Sequence, residues 1–141
     1  MIRGFAAIGM GLLGDEKSLQ PIMSLLKTTK SPDAMSFGAL GLALLGKKQG
    51  GDLLVKRLTE TTNGDVAAFN VYGLGIMKDR TKLDQLIDIS VNHGNFFVQS
   101  AAIAAIGYVS SAEDYPRRHT MARGFNYLLN LQLPENYFYK L

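Results

Sequence analysis

The sequence predicts an all-α fold built from about four two-helix repeats that stack on one another. Three observations support this prediction: a period of 32 residues, apolar residues at helical spacing within each unit, and glycines at fixed places in the pattern. The chain has 141 residues, of which 47% are hydrophobic, so it is long enough to form one domain with a substantial core.

The period is visible in aromatic, small and branched apolar residues alike. Phe5, Phe37 and Phe69 lie 32 residues apart, and Ala101 takes the next place. The same step relates four further sets: Gly9, Gly41, Gly73 and Ala105; Gly11, Ala43, Gly75 and Gly107; Leu13, Leu45, Met77 and Val109; and Ile22, Leu54 and Leu86. The predicted units are residues 1–32, 33–64, 65–96 and 97–128, and residues 129–141 form a tail that we expect to cap the last unit.

The first half of each unit predicts a nearly all-apolar helix. In the first unit Phe5, Ile8 and Leu12 recur at three- and four-residue spacing, and Gly14 and Asp15 end the helix. Glycine inside a helix costs about 1 kcal/mol relative to alanine, so glycines repeated at the same places need a compensating interaction. We expect them to let neighbouring helices approach closely. This packing explanation covers the following repeat-phased glycines: 9, 11, 14, 41, 46, 73, 75 and 107.

The second half of each unit predicts an amphipathic helix. Ser18 is expected to cap the first of these helices, and Pro21 is tolerated in its first turn. Its apolar stripe is Ile22, Leu25 and Leu26, and in later units Val55 and Ile87 are expected beside Leu54 and Leu86. The following units are expected to open at Ser31-Pro32-Asp33, Asn63-Gly64-Asp65 and Asn95, which combine helix caps with acids suited to a helix N-terminus. These helices leave no room for a sheet.

Residues 6–15, with the sequence Ala-Ala-Ile-Gly-Met-Gly-Leu-Leu-Gly-Asp, resemble the A-A-x-A-L-G-x-L-G-D core of HEAT repeats in the short form named after phycobilisome lyases. Residues 38–46 and 101–110 match the same pattern more loosely. The resemblance covers residues 1–110 and implies a right-handed α-solenoid whose second helices line a concave binding face. The glycine-rich stretches are also similar to proteasome/cyclosome repeats, but the units of that family are longer.

Two glycine motifs imitate nucleotide-binding sites. Residues 9–14 spell G-x-G-x-x-G, and residues 41–48 approach a phosphate-binding loop, although Lys48 stands where a Ser or Thr must reach the magnesium ion. Both motifs occupy repeat positions, so helix packing explains them better. The chain also has no Cys and only two His, and neither His has an acid at a ligand spacing. We therefore expect no catalytic residue, no cofactor and no metal site.

The function expected from these patterns is non-enzymatic binding of a protein partner. The predicted contacts lie off the apolar stripe of each second helix, on the expected concave face: Gln20, Ser24, Lys27, Asp52, Lys56, Asp84 and Asp88. Acidic residues increase towards the third unit, which is unlike the repeated Lys or Arg of a phosphate-binding track. A weaker alternative, suggested by the family name alone, is a subunit of a chromophore lyase.

The turns between helices leave a second class of partner open. Lys and Arg number 15 against 12 Asp and Glu, a net charge of +3 that is too small to indicate nucleic acid by itself. Positive residues do recur at the turns, and a nucleic acid or another polyanion would contact them there. The candidate anion contacts are Lys47, Lys48, Lys78, Arg80, Arg117, Arg118 and Arg123.

The apolar stretches also bear on membranes and on the chain's first unit. No apolar stretch reaches the length of a membrane span, so no membrane partner is expected. The first unit opens without a polar cap, which would leave Phe5 uncovered. We expect upstream repeats or self-association to cover this end, with the chain forming the C-terminal part of a longer array.

Overall fold

A computed structural model describes residues 2–110, and the all-α prediction is confirmed over that range. The described part contains no strand; its α-helices are α1 (Ile2–Leu13), α2 (Leu19–Thr28), α3 (Pro32–Leu45), α4 (Lys48–Glu60), α5 (Gly64–Ile76), α6 (Leu83–Asn92) and α7 (Phe96–Ser110). Short 3-10 turns over Glu16–Ser18 and Arg80–Lys82 precede α2 and α6. The second helix expected in the fourth unit, the expected cap over 129–141, and Arg117, Arg118 and Arg123 lie outside the described residues.

The first helices of successive units pack side by side in chain order. Helix α1 packs against α3, α3 against α5, and α5 against α7, while α2, α4 and α6 pack on α3, α5 and α7 respectively. A central first helix therefore has neighbours on several sides, and α3 buries ten of its 14 residues. The second helices have a narrower buried stripe, which in α2 consists of Ile22 and Leu26. This difference explains why the first helices are apolar almost all round.

The predicted caps of α3, α5 and α7 are confirmed. The side chain of Ser31 accepts a hydrogen bond from the Ala34 amide at 3.5 Å, and Asn63 Oδ1 accepts one from the Val66 amide at 3.0 Å. Asn95 Oδ1 accepts from the Phe97 amide at 2.9 Å. Each side chain satisfies an amide that the first helical turn would otherwise leave unpaired.

The predicted cap at Ser18 is wrong. Ser18 makes no side-chain cap bond, because it sits in the 3-10 turn with a helical backbone (φ −73°, ψ −17°) instead of the extended backbone of a cap. Asp15 takes that role three residues earlier, and its Oδ1 accepts from the Lys17 amide at 3.0 Å. Asp79 repeats the arrangement before α6, where it accepts from the Thr81 amide at 3.0 Å.

Close helix approach explains the glycines in the middle of the first helices. A Cβ added at Gly41 would lie 2.5 Å from the carbonyl carbon of Ala7, and one added at Gly75 would lie 2.5 Å from the Cα of Ala105. A Cβ at Gly11 would lie 2.9 Å from the carbonyl carbon of Gly41. These are backbone atoms, so the helices themselves would have to separate to admit a methyl group.

The packing explanation also holds for Gly73, where an added Cβ would lie 2.9 Å from Leu54 Cδ1. It is wrong for Gly9, Gly14, Gly46 and Gly107. Gly14 and Gly46 have φ angles of +69° and +67°, so their role is the left-handed turn that ends the first helix. Lys78 is at the equivalent position in the third unit and also has a positive φ, +53°. Gly9 and Gly107 lie on helices, but no described atom comes within 4 Å of an added Cβ at either position. The equivalent positions in the interior first helices face a neighbouring first helix. At Gly9 and Gly107 no described helix takes that place.

Asn70 is a buried polar residue at a position where the other units have alanine or glycine. Asn70 on α5 is 1% exposed, and its Nδ2 has no hydrogen-bond partner among residues 2–110. The equivalent positions hold Ala6, Gly38 and Ala102. An N–H donor buried without a partner loses its hydration and gains nothing in return.

Replacing Asn70 by Leu should therefore raise the free energy of unfolding by about 1–2 kcal/mol. Leucine has nearly the same shape and removes the unpaired donor. Urea unfolding followed by circular dichroism measures the change. The matched control is Asn63→Leu, which removes the α5 cap and should lower stability by about 1 kcal/mol. An Asn70→Leu variant no more stable than the wild type would contradict the conclusion that the unpaired Nδ2 of Asn70 lowers stability.

Candidate partner-binding surface

The predicted contact residues lie on the outer sides of α2, α4 and α6, and we call them the second-helix face. They are Gln20, Ser24 and Lys27 on α2, Asp52 and Lys56 on α4, and Asp84 and Asp88 on α6, and all seven are exposed. The fully buried residues Ile22, Leu54 and Leu86 hold the opposite sides of these helices. Residues two positions before or after a buried residue are rotated by about 160–200° around the helix, which turns them outward.

The predicted contact residues of α4, Asp52 and Lys56, are already paired within the chain. Lys82 Nζ donates to Asp52 Oδ1 at 2.9 Å, which joins α4 to the 3-10 turn before α6. Lys56 Nζ lies 3.7 Å from Glu60 Oε1 on its own helix. Such exposed pairs add little stability, but they partly neutralise the charge that α4 offers to a partner.

A depression lies along the outer side of helix α6. This α6 depression has a volume of about 390 Å³ and is lined by Asp84, Ile87, Asp88, Val91 and Asn92. Ile87 and Val91 are both exposed, so an apolar strip runs beside the two carboxylates. Asn92 Nδ2 donates to Asp88 Oδ1 at 2.7 Å and fixes the position of that carboxylate.

The exposure of Ile87 corrects the expectation that it lies beside the core. Its neighbour Leu86 is fully buried and takes the core side of α6, while Ile87 is 46% exposed. One residue is a rotation of about 100° on a helix, which is enough to carry the side chain out of a narrow stripe. The signal that identifies the strip is the four-residue spacing of Ile87 and Val91, which places them together on one side of α6.

The positive residues at the turns alternate with acids. Lys47 forms an ion pair with Glu16 of the preceding unit, and Lys82 is held by Asp52. The pKa of Asp79 is lowered, first by the hydrogen bond from Thr81 Oγ1 at 2.7 Å, next by the hydrogen bond from the Thr81 amide, and then by the nearby charges of Lys82 and Lys48. Arg80 is exposed. Two of the candidate anion contacts, Lys47 and Lys48, therefore lie close to the acids Glu16 and Asp79.

None of the described helices is long and apolar enough to cross a membrane. Over residues 2–110, no three His, Asp or Glu side chains are grouped so that they could hold a metal ion.

The sequence matches no protein-family model, and it has no significant match among curated proteins. The resemblance to HEAT repeats therefore depends on the residues of this chain alone.

Proposed function

We propose that this chain is a non-enzymatic scaffold of the HEAT type, a right-handed α-solenoid that binds a protein partner on its second-helix face. The observation that carries the proposal is the α6 depression, where exposed apolar side chains lie beside carboxylates. The chain-order packing of α1, α3, α5 and α7, with the second helices laid on them, supports the solenoid. A single unit cannot bury its own apolar stripe, so stacking of units is the arrangement that such a repeat favours.

The chemistry of the α6 depression indicates the kind of partner. Protein interfaces combine an apolar centre with a polar rim, and Ile87 and Val91 provide the centre here. Asp84 and Asp88 provide a rim of one sign, which favours a partner segment bearing Lys or Arg. The expected partner therefore presents an apolar side chain flanked by positive residues.

Charge reversal at the rim tests this function. The Asp84→Lys/Asp88→Lys variant should reduce capture of the partner by at least about tenfold, because like charges then face each other across the interface. The measurement compares proteins retained by the immobilised wild type and by the variant, identified by mass spectrometry after crosslinking. Circular dichroism should show unchanged helicity, since both positions are exposed.

The matched control is Asp33→Lys/Asp65→Lys, which changes the net charge equally on exposed acids at the starts of α3 and α5. This control should retain the partner. Equal capture by all three proteins would contradict binding at the α6 depression. Retention of the wild type on heparin with a steep salt dependence would point instead to a polyanion at the turn residues.

A further inference from the structure

The turn that leads from each second helix into the next first helix contains the same hydrogen bond. The residue that follows the second helix has an extended backbone, and its side chain accepts from the backbone amide two residues later. Thr29 Oγ1 accepts from the Ser31 amide at 3.2 Å, and Thr61 Oγ1 accepts from the Asn63 amide at 3.2 Å. The donors are the cap residues of α3 and α5, so this bond helps to place the start of the next unit.

The third unit makes this bond with a histidine. His93 follows α6 at the position equivalent to Thr29 and Thr61, and its Nδ1 accepts from the Asn95 amide at 3.1 Å. A backbone amide only donates, so Nδ1 carries no proton and the imidazole is neutral. Asn95 in turn caps α7, where its Oδ1 accepts from the Phe97 amide at 2.9 Å. A threonine hydroxyl remains an acceptor at every pH, whereas histidine is the side chain whose charge changes between pH 5 and 8.

No charged side chain among residues 2–110 competes with Asn95 for the imidazole of His93. The ionisable residues on the elements around the turn are Asp84 and Asp88 on α6, Asp65 and Tyr72 on α5, Tyr108 on α7, and Lys56, Arg57 and Glu60 in the last turns of α4. Within the described range, His93 forms an ion pair with none of them. A proton on Nδ1 therefore removes the bond to Asn95 and gains no carboxylate in exchange. The C-terminal end of α6 favours the new positive charge, so the protonated ring is stable once it has turned away from the Asn95 amide.

We propose that His93 is a pH switch that regulates the α6 depression: protonation of its imidazole releases the Asn95 amide, loosens the joint between α6 and α7, and weakens binding of a basic partner. The joint is connected to the depression, because Gln99 Nε2 on α7 donates at 3.2 Å to the carbonyl oxygen of Val91, which lines the depression. The new charge also follows Asn92, another lining residue, so it lowers the attraction of the depression for Lys or Arg. The effect on binding rests on the proposed function, whereas the opening of the turn does not.

Nuclear magnetic resonance tests the turn in the full chain without a partner. As the pH falls from 8 to 5, the amide signal of Asn95 should shift along a single titration curve, because its hydrogen bond is lost. The amide signals of Ser31 and Asn63 are internal controls and should stay fixed, since their acceptors are hydroxyls. His93→Thr restores the acceptor of the other two turns, so the Asn95 signal should stay fixed in this variant. An Asn95 signal that does not move in the wild type, or that moves equally in His93→Thr, would overturn the inference.

A binding measurement tests the regulation. The probe is a fluorescent synthetic peptide with leucine and lysine at helical spacing, and anisotropy gives its affinity for the wild type and for His93→Thr. Both proteins should bind the peptide equally at pH 8, and at about pH 5.5 the wild type should bind about fivefold more weakly than the variant, as expected for the loss of one hydrogen bond. Equal affinities of the two proteins at both pH values would overturn the regulation. No binding by either protein at pH 8 would contradict the proposed function and the regulation with it, while the resonance experiment still decides the turn.

Discussion

Replacing Gly41 by alanine should lower the free energy of unfolding by about 3 kcal/mol. The new methyl group would lie 2.5 Å from the carbonyl carbon of Ala7, in the centre of the contact between α1 and α3. Both groups belong to helices, so the clash is relieved only by moving the helices apart. This separation exposes apolar surface along the α1–α3 contact and outweighs the roughly 1 kcal/mol that alanine gains in helix propensity. Urea unfolding measures the loss.

Gly9→Ala is the matched control for this prediction. Gly9 is also inside a first helix, but an added Cβ meets no described atom within 4 Å. The change should therefore raise stability by about 1 kcal/mol through helix propensity alone. Gly11→Ala is a second control, because it forces apart the same pair of helices. The double variant Gly11→Ala/Gly41→Ala should therefore lose less unfolding free energy than the sum of the two single losses. Equal effects at Gly9 and Gly41 would contradict the close approach.

Replacing Leu54 by alanine should cost about 3 kcal/mol. Leu54 is a fully buried residue of α4 in the main apolar cluster, at the position that Ile22 and Leu86 occupy in the neighbouring units. Truncation removes apolar contacts and leaves a cavity next to α5, where Leu54 Cδ1 lies 2.9 Å from the site of a Cβ on Gly73. The exposed neighbour Lys56 is the control, and Lys56→Ala should change stability by less than about 0.5 kcal/mol.

The proximity of Leu54 to Gly73 gives this prediction a second test. Gly73→Ala alone should destabilise the wild type, since the methyl group presses on Leu54 Cδ1 and lies 3.3 Å from Ala43 Cβ. In the Leu54→Ala background the same change should stabilise, because the methyl group then enters the cavity. A double-mutant cycle by urea unfolding measures this change of sign. Additive effects would mean that α4 does not contact α5 at Leu54.

Local signals made the all-α class and most helix boundaries predictable. Ser31 and Asn63 act as caps within three residues of their own positions, so their sequence context is sufficient. Ser18 does not act as a cap, because Asp15 already begins a 3-10 turn three residues earlier. Serine and aspartate are both favoured caps, so residue type alone could not distinguish between them. The glycine phase predicted the contact of Gly41 with Ala7, although the sequence could not show that Gly9 lacks the same neighbour.

Features of the candidate surface that depend on more than one unit were less predictable. The ion pair of Lys47 with Glu16 and that of Lys82 with Asp52 join neighbouring units. Their separations of 31 and 30 residues are close to the period, and opposite charges at that spacing are the signal that would identify them. Asn70 gave no such signal, because a polar residue on an apolar helix has the same sequence pattern whether or not its amide is paired.

The claim on which the proposed function depends is that the second helices lie side by side at one step per repeat. The chain has no Cys, so cysteines introduced at Ser24 and Asp88 are the only sites for spin labels. These exposed residues are equivalent positions two units apart on α2 and α6. Neighbouring helices are spaced by about 10 Å, and the two labels are two helices apart. Double electron–electron resonance should therefore give one narrow peak in the distance distribution at about 20 Å. A broad distribution, or a mean distance beyond about 35 Å, would contradict a stacked row of second helices.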